Sequence, residues 1–265
     1  MSEPTSLYAI LSQRWAANAD KPALETPRGL RLTYGELDAA VAHHAGLLRD
    51  LGVAPGDRVA VQVEKSPDAL ILYLACLKAG AIYLPLNSAY QEGEVDYFLG
   101  DAEPTVFVHQ PKSEEWAARV AAKHGVAHRF VLPAEDEPAL PPPPPVGEGP
   151  RERGTLPDAK MAPPSAAASS QHNNQKPQHP RASWAENARK AAPMLDFVPR
   201  GPDDLAAILY TSGTTGRSKG AMLTQRNLAS NALTLHALWG FRPDDVLLHA
   251  LPLFHVHGLF VACNT

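Results

Sequence analysis

The chain has 265 residues, of which 45% are hydrophobic, and a formal net charge of −4. This length suits one large domain or two small ones, and the weak negative charge argues against a nucleic-acid or anionic-membrane partner. No run of about 18 apolar residues predicts a membrane span, and the first residues lack the pattern of a secretory leader. Cys76 and Cys263 show neither metal-type spacing nor a disulfide framework, which is typical of a reducing compartment. We therefore expect a cytoplasmic enzyme or binding domain.

Residues 6–132 alternate between patterns typical of helices and of strands. The predicted helices cover residues 34–51, 68–79 and a region around 96–99. The predicted strands cover residues 58–63, 81–86 and 105–108. Ser66 followed by Pro67 indicates a helix start, because serine caps free N–H groups and proline fits the first turn, and Gly80 indicates a helix stop. Strands separated by helices predict an α/β fold with a parallel sheet flanked by helices.

Residues 133–199 interrupt this alternation with a proline-rich, low-complexity composition. They hold 15 of the 26 prolines, five of them consecutive at 141–145. Proline removes backbone donors and the polar tracts bury little apolar surface, so we predict a disordered insert between two α/β portions, 6–132 and 200–265. A mistranslated intron or a frameshift is a second explanation, and a polyproline ligand for a partner domain is a third.

The second portion shows strand and helix patterns again. Strands are predicted at 205–210 and 246–250, a short extended piece at 221–223, and a helix at 225–239. Thr224 is the predicted N-cap of this helix. The chain ends inside an apolar run, residues 258–265, whereas a domain usually ends in exposed polar sequence. We therefore expect a truncated domain.

The segment that indicates function is residues 210–220, with the sequence YTSGTTGRSKG. Its glycines allow the backbone to approach a ligand closely, its hydroxyl side chains supply donors, and Lys219 adds a positive charge. Successive N–H groups in such a segment can form an anion-binding nest at the carboxyl edge of a sheet. Ser218 stands where a Walker motif would need glycine, and the Rossmann glycine spacing is also missing. We predict a polyphosphate cradle of another type rather than a plain surface loop.

Segment 210–220 resembles the phosphate-binding signature of the adenylate-forming enzymes, which include acyl- and aryl-CoA synthetases, nonribosomal-peptide adenylation domains and luciferases. Ser218 replaces the proline that is usual in this signature. Three further segments resemble motifs of the same family in the same order: residues 32–37 (LTYGEL), 77–87 (LKAGAIYLPLN) and 251–258 (LPLFHVHG). The resemblance covers residues 6–132 and 195–265. It implies part of the large N-terminal α/β domain of such an enzyme, incomplete at its C-terminus.

The resemblance also assigns roles to single residues. The residues that would hold ATP are Thr211, Ser212, Gly213, Thr214, Thr215, Gly216 and Lys219. The Thr211 hydroxyl would be a ligand of Mg²⁺. His255 would be catalytic beside the acyl pocket, where it would admit the carboxylate and later the thiol; a buried core histidine is the alternative. His249 and His257 are expected to be structural, because neither stands at a position that has a role in the family. The His-x-His pair could suggest a metal, but no third ligand of suitable spacing is near.

The implied chemistry has two steps. A carboxylate attacks the α-phosphorus of ATP and releases pyrophosphate, and the CoA thiolate then displaces AMP from the acyl-adenylate. The resemblance thus implies ATP, Mg²⁺, CoA and a small carboxylate, with no nucleic acid. The acidic Mg²⁺-binding motif of the family, its ribose-binding aspartate, its hinge and its mobile C-terminal domain have no counterpart before Thr265. We therefore expect the chain by itself to be inactive.

The expected substrate follows from resemblance outside the shared motifs. Four segments are more similar to malonyl-CoA synthetases than to long-chain, acetyl or aryl enzymes: residues 64–66, 83–90, 217–224 and 244–252. They imply a short dicarboxylate, with malonate first and methylmalonate second. A fatty-acyl- or aryl-CoA ligase is one alternative, and a truncated, non-catalytic nucleotide- or partner-binding protein is another. A second substrate carboxylate needs an arginine or comparable donors, but Arg226 and Arg242 are expected to be solvated.

Overall fold

A computed structural model describes residues 6–134, 183–211 and 217–265. The helices are α1 (Leu7–Ala16), α2 (Tyr34–Asp50), α3 (Pro67–Ala79), α4 (Glu92–Ala102), α5 (Glu114–Lys123), α6 (Trp184–Lys190) and α7 (Gln225–Trp239). The strands are β1 (Pro22–Glu25), β2 (Arg31–Thr33), β3 (Arg58–Gln62), β4 (Ile82–Pro85), β5 (Val106–His109), β6 (His128–Val131), β7 (Leu205–Thr211) and β8 (Lys219–Thr224). There is also a 3₁₀ turn at Pro111–Ser113 and a π-helical segment at His257–Cys263. Within the described ranges, no helix has the length and apolar character needed to span a membrane.

The main sheet has six strands in the order β6-β5-β3-β4-β7-β8. All neighbouring pairs are parallel except β7 and β8, which are antiparallel. Strands β1 and β2 form a separate antiparallel pair. The predicted α/β fold with parallel strands flanked by helices is therefore confirmed, with one antiparallel strand added at the edge of the sheet.

Helices cover the sheet on both faces. One group of buried residues joins α1, α2, α3 and α6 to strand residues that include Val59 and Leu209. The other group joins α4 and α5 to Phe107 and related residues. Because successive side chains of a strand point to opposite faces, Ile208 and Tyr210 of β7 lie toward α4, whereas Leu209 lies toward the other face.

Short-range hydrogen bonds fix the helix ends that the sequence predicts. The Ser66 hydroxyl accepts a hydrogen bond from the backbone N–H of Ala69 at 3.2 Å and begins α3. Gly80 ends α3 with a φ of 72°, a left-handed conformation that glycine adopts without a steric penalty. The Thr224 hydroxyl accepts from the N–H of Asn227 at 3.2 Å and begins α7. The predicted starts of α3 and α7 and the end of α3 are confirmed.

The predicted insert, residues 133–199, extends too far at its C-terminal end. Residues 183–199 are described, and they contain helix α6. The prediction of a disordered segment is wrong for this part. The remainder, residues 135–182, lies outside the described residues.

Helix α6 is ordered because it is packed against α2. Trp184 is 0% exposed, and its indole N–H donates to Nδ1 of His44 at 3.0 Å. After the helix, the N–H of Met194 donates to the carbonyl oxygen of Ala42 at 2.9 Å. A buried tryptophan supplies a large apolar area together with a directional hydrogen bond. The contacts of Trp184 and Met194 with α2 thus explain why this part is ordered despite its composition.

Residues 246–250 do not form the predicted strand. The segment has no regular secondary structure, and Val246 and Leu248 are 94% and 92% exposed. A strand is stable only when a neighbouring strand pairs with its backbone. No strand within the described ranges pairs with this segment, so its apolar sequence does not become a strand here.

Candidate functional site

The carboxyl ends of β4 and β7 are where the chain leaves the sheet in opposite directions. The two strands are parallel neighbours. After β4 the chain passes through α4 to β5, on the far side of β3, whereas after β7 it returns as β8 at the edge of the sheet. Divergent connections from neighbouring parallel strands define the place where α/β proteins bind ligands. The connection from β7 to β8 contains the glycine-rich segment.

Two of the predicted phosphate-site residues lie opposite each other at the base of this connection. Thr211 ends β7 and Lys219 begins β8, and the two are partners in the antiparallel pairing. Directly opposite residues of such a pair project to the same side of the sheet. Both are exposed, so a hydroxyl and an ammonium group lie side by side and open to a ligand.

The middle of the predicted cradle is the part between the described ends of β7 and β8. Its members are Ser212, Gly213, Thr214, Thr215 and Gly216, and they lie outside the described residues. Their role in holding phosphates stays a prediction.

Helix α4 is hydrogen-bonded to both flanks of the glycine-rich segment. On the β7 side, the Tyr210 hydroxyl donates to the carboxylate of Asp101. On the β8 side, the Tyr97 hydroxyl donates to the backbone carbonyl of Ser218 at 2.9 Å. One helix is thereby attached to the residue before Thr211 and to the residue before Lys219.

Ring packing supports these hydrogen bonds. The ring centroid of Tyr210 lies 4.3 Å from that of Phe98 and 6.2 Å from that of Tyr97. The guanidinium carbon of Arg217 lies 5.7 Å from the centroid of the Tyr97 ring, within cation–π range. Burial, and next the hydrogen bond to Asp101, raise the pKa of Tyr210 above its ordinary value. Tyr210 is therefore a neutral hydrogen-bond donor at pH 7.

Two buried glutamines hold the connection between β4 and α4. The Gln62 side-chain amide donates to the carbonyl oxygens of Asn87 and Tyr90 at 3.2 and 2.8 Å. The Gln110 amide donates to the carbonyl oxygen of Ser88 at 2.7 Å. Because both side chains are buried, these hydrogen bonds are not in competition with bulk water. They fix the start of α4 against the carboxyl ends of β3 and β5.

His255 lies on the segment that precedes the π-helix. Its side chain is exposed, so the alternative of a buried core histidine is wrong. Its Nδ1 accepts a hydrogen bond from the backbone N–H of His257 at 3.3 Å, and the two rings stack with centroids 5.2 Å apart. In the part of the chain that the structure describes, no hydrogen bond or ring contact joins His255 to Thr211 or Lys219. Its predicted place beside an acyl pocket stays a prediction.

The remaining polar residues of this region have structural contacts. Nε2 of His249 donates to the carbonyl oxygen of Gly258 at 2.8 Å, and Lys65 donates to the carbonyl oxygen of His249 at 3.0 Å. His249 is therefore structural, as expected. Arg226 and Arg242 are solvated, as expected, since their side chains are 61% and 74% exposed and each pairs with a surface aspartate.

Tyr97 and Asp101 are not among the functional residues predicted from the sequence. Their spacing of four residues places them on the same face of α4, and this spacing is the signal that was available. This spacing does not identify the hydrogen-bond partners of the two residues, because Tyr97 and Ser218 are 121 residues apart in the chain. Only the packing of α4 beside β7 brings them together.

The chain is similar to several known proteins. The sequence profile of the family described as AMP-binding enzyme matches residues 11–265. The ATP-bound structure of MatB from Rhodopseudomonas palustris is similar with a TM-score of 0.77 and 42% identity, over 98% of this chain and 43% of that one. A probable CoA ligase of Humulus lupulus is 30% identical over 98% of this chain and 42% of its own length. A feruloyl-CoA synthase of Amycolatopsis sp is 32% identical over 89% of this chain and 37% of its own length. The chain thus spans less than half the length of these relatives.

Proposed function

Because the chain belongs to the family of AMP-binding enzymes, we propose that it forms the ATP-binding part of an acyl-CoA ligase. The reaction activates a carboxylate as an acyl-adenylate and transfers the acyl group to CoA. The observation that supports this most directly is the pairing of Thr211 with Lys219 at the carboxyl edge of the sheet, beside β4. Two free cysteines, Cys76 and Cys263, favour a cytoplasmic location.

The chemistry needs charge neutralisation more than proton transfer. Phosphoryl and nucleotidyl transfer are governed by the positioning of the phosphates and by stabilisation of the charge that develops on them. The Lys219 ammonium is a mobile point charge suited to a phosphate oxygen, and the residues from Ser212 to Gly216 would add backbone and hydroxyl donors. Pyrophosphate then leaves with its charge already compensated.

Thr211 and His255 have proposed roles on either side of this step. The exposed Thr211 hydroxyl fits Mg²⁺, which takes oxygen ligands and keeps several waters. Bound there, the metal would neutralise phosphate charge. His255, which is also exposed, would line the route of the carboxylate and later of the thiol.

We propose a short dicarboxylate as the acid, with malonate before methylmalonate. The support is the resemblance of residues 64–66, 83–90, 217–224 and 244–252 to malonyl-CoA synthetases. The relatives bear names for several acids, including feruloyl-CoA synthase at 32% identity and an oxalate–CoA ligase of Arabidopsis thaliana at 29%. The identity to feruloyl-CoA synthase makes an aryl-CoA ligase the second candidate.

The first experiment measures MgATP binding to the chain by titration calorimetry. Lys219→Ala should weaken binding about tenfold or more, because a hydrogen bond to a charged group is lost. Lys190→Ala is the matched control, since Lys190 is an exposed lysine in the last turn of α6, the helix that packs against α2. Absence of MgATP binding to the unchanged chain, or equal affinity in the Lys219 variant, would contradict the proposed cradle.

The second experiment identifies the acid. Acid-dependent exchange of pyrophosphate into ATP is measured on the product of the natural gene, including any sequence that follows residue 265. Malonate should exceed octanoate and 4-coumarate in kcat/KM by about 10⁴-fold, because a site that pairs a buried charge rejects analogues without it. A higher value for octanoate or 4-coumarate refutes the malonate proposal. MgATP binding without exchange for any acid would favour the non-catalytic alternative.

A further inference from the structure

We propose that Tyr97 and Asp101 of α4 are positioning residues that hold the two flanks of the glycine-rich segment, at Tyr210 and Ser218, and thereby set the affinity of the adjacent pair Thr211 and Lys219 for ATP phosphates. The inference rests on the proposed function for the identity of the ligand. The attachment of the flanks itself rests only on contacts within the structure.

The two side chains act as a pair because of their place on the helix. Tyr97 and Asp101 are one turn apart on the same face of α4. Asp101 accepts from the Tyr210 hydroxyl on β7, and Tyr97 donates to the carbonyl of Ser218 next to β8. The ladder already pairs Thr211 with Lys219. Two hydrogen bonds to one helix therefore fix where this pair lies relative to α4.

The hydrogen bond of Tyr97 acts close to the proposed phosphate-binding lysine. Ser218 immediately precedes Lys219, which is the first residue of β8. Fixing the Ser218 carbonyl orients the peptide that joins these two residues. The contact of Arg217 with the Tyr97 ring restrains the preceding residue as well. Tyr97 therefore influences Lys219 through the backbone and does not need to touch the ligand.

Helix α4 is itself anchored, which a positioning element requires. Asp96 accepts from Lys123 at 2.7 Å and from His124 at 2.9 Å, which ties α4 to α5 and the residue that follows it. Phe98 is buried between the helix and the sheet. The hydroxyl of Tyr97 thus belongs to a helix that is already held in place. Its hydrogen bond therefore restrains Ser218 and not α4.

The experiment compares four variants of the chain. Tyr97→Phe removes one hydroxyl and keeps the ring that packs on Phe98. Asp101→Ala removes the acceptor of Tyr210, and Asp101→Asn restores an acceptor without charge. Asp96→Asn is the control on the same helix, because it weakens contacts toward α5 and leaves both flanks untouched.

Two measurements are made on each variant. Hydrogen–deuterium exchange follows the peptide covering residues 217–224, and calorimetry follows MgATP affinity. Tyr97→Phe should speed exchange in this peptide and weaken MgATP binding about fivefold, the effect of one neutral hydrogen bond. Asp101→Ala should weaken binding similarly, whereas Asp101→Asn and Asp96→Asn should stay within about twofold of the unchanged chain.

The outcomes separate this inference from the proposed function. If the unchanged chain does not bind MgATP, the proposed function is refuted, and so is the claim that α4 sets the affinity for ATP. The exchange data still decide whether α4 holds the flanks. If Tyr97→Phe leaves exchange in residues 217–224 unchanged, the attachment is refuted whatever the affinity. If Asp96→Asn lowers affinity as much as Tyr97→Phe, the effect is general loosening of α4 and the positioning role is refuted.

Discussion

Acidification should destabilise this protein through His44, a buried histidine of α2. Its Nδ1 accepts the indole N–H of Trp184 at 3.0 Å. Nε2 therefore carries the ring proton in the neutral form, and it lies 3.6 Å from the carboxylate of Asp68. Burial, followed by the charges of Arg189 and His43, lowers the pKa of His44 to about 3. Burial outweighs the nearby carboxylate, so the folded protein keeps His44 neutral.

The sign and size of the effect follow from this lowered pKa. Between about pH 6.5 and pH 3 the unfolded chain binds a proton at His44 and the folded chain does not, so the free energy of unfolding falls as the pH falls. The slope is about 1.4 kcal/mol per pH unit, which gives a loss of about 2 kcal/mol at pH 5. Above about pH 6.5 His44 contributes no pH dependence.

The assay is urea unfolding followed by far-UV circular dichroism from pH 7 to pH 4. The comparison variant is His44→Asn, whose side-chain oxygen can accept the Trp184 indole N–H but does not titrate. Other buried groups titrate in both proteins, including His109, whose pKa is lowered to about 4, first by burial. Only the difference between the two slopes therefore reports His44. Parallel curves for the two proteins between pH 6.5 and pH 5 would refute the reasoning.

Two further predictions concern the packing of α2 and the segment outside the described residues. Gly46→Ala should cost about 1–3 kcal/mol of unfolding free energy, because a Cβ there would collide with the carbonyl oxygen of Ala192. Gly93→Ala is the control, since nothing lies within 4 Å of its added Cβ, and it should be neutral or stabilising in thermal unfolding. Limited proteolysis should cut first between residues 135 and 182, because their proline-rich, polar composition predicts no packed structure. First cleavage in residues 6–134 would contradict that prediction.

The sequence determined the features that depend on neighbours along the chain. Ser66 and Gly80 set the ends of α3, and Thr224 sets the start of α7, because a cap satisfies backbone groups within three or four residues of itself. The alternation of apolar strands and helices likewise gave the parallel α/β fold. Residues 210–220 indicated a phosphate site, because glycines, hydroxyl groups and a lysine in one short stretch offer close backbone approach, donors and a positive charge. The resemblance of this segment to the signature of adenylate-forming enzymes implied ATP.

Tertiary structure decided the features that depend on residues far apart in the chain. Trp184 is buried and donates a hydrogen bond to His44, 140 residues away, whereas composition alone predicted disorder for this part of the chain. Residues 246–250 have an apolar pattern but no strand, because strand formation depends on a partner that the pattern does not supply. The Tyr97 hydroxyl reaches Ser218 only because α4 packs beside β7. Hydrogen bonds between neighbours along the chain can be predicted from the spacing of residue types. Contacts between distant residues depend on the order in which the strands pair and on how the helices pack against them.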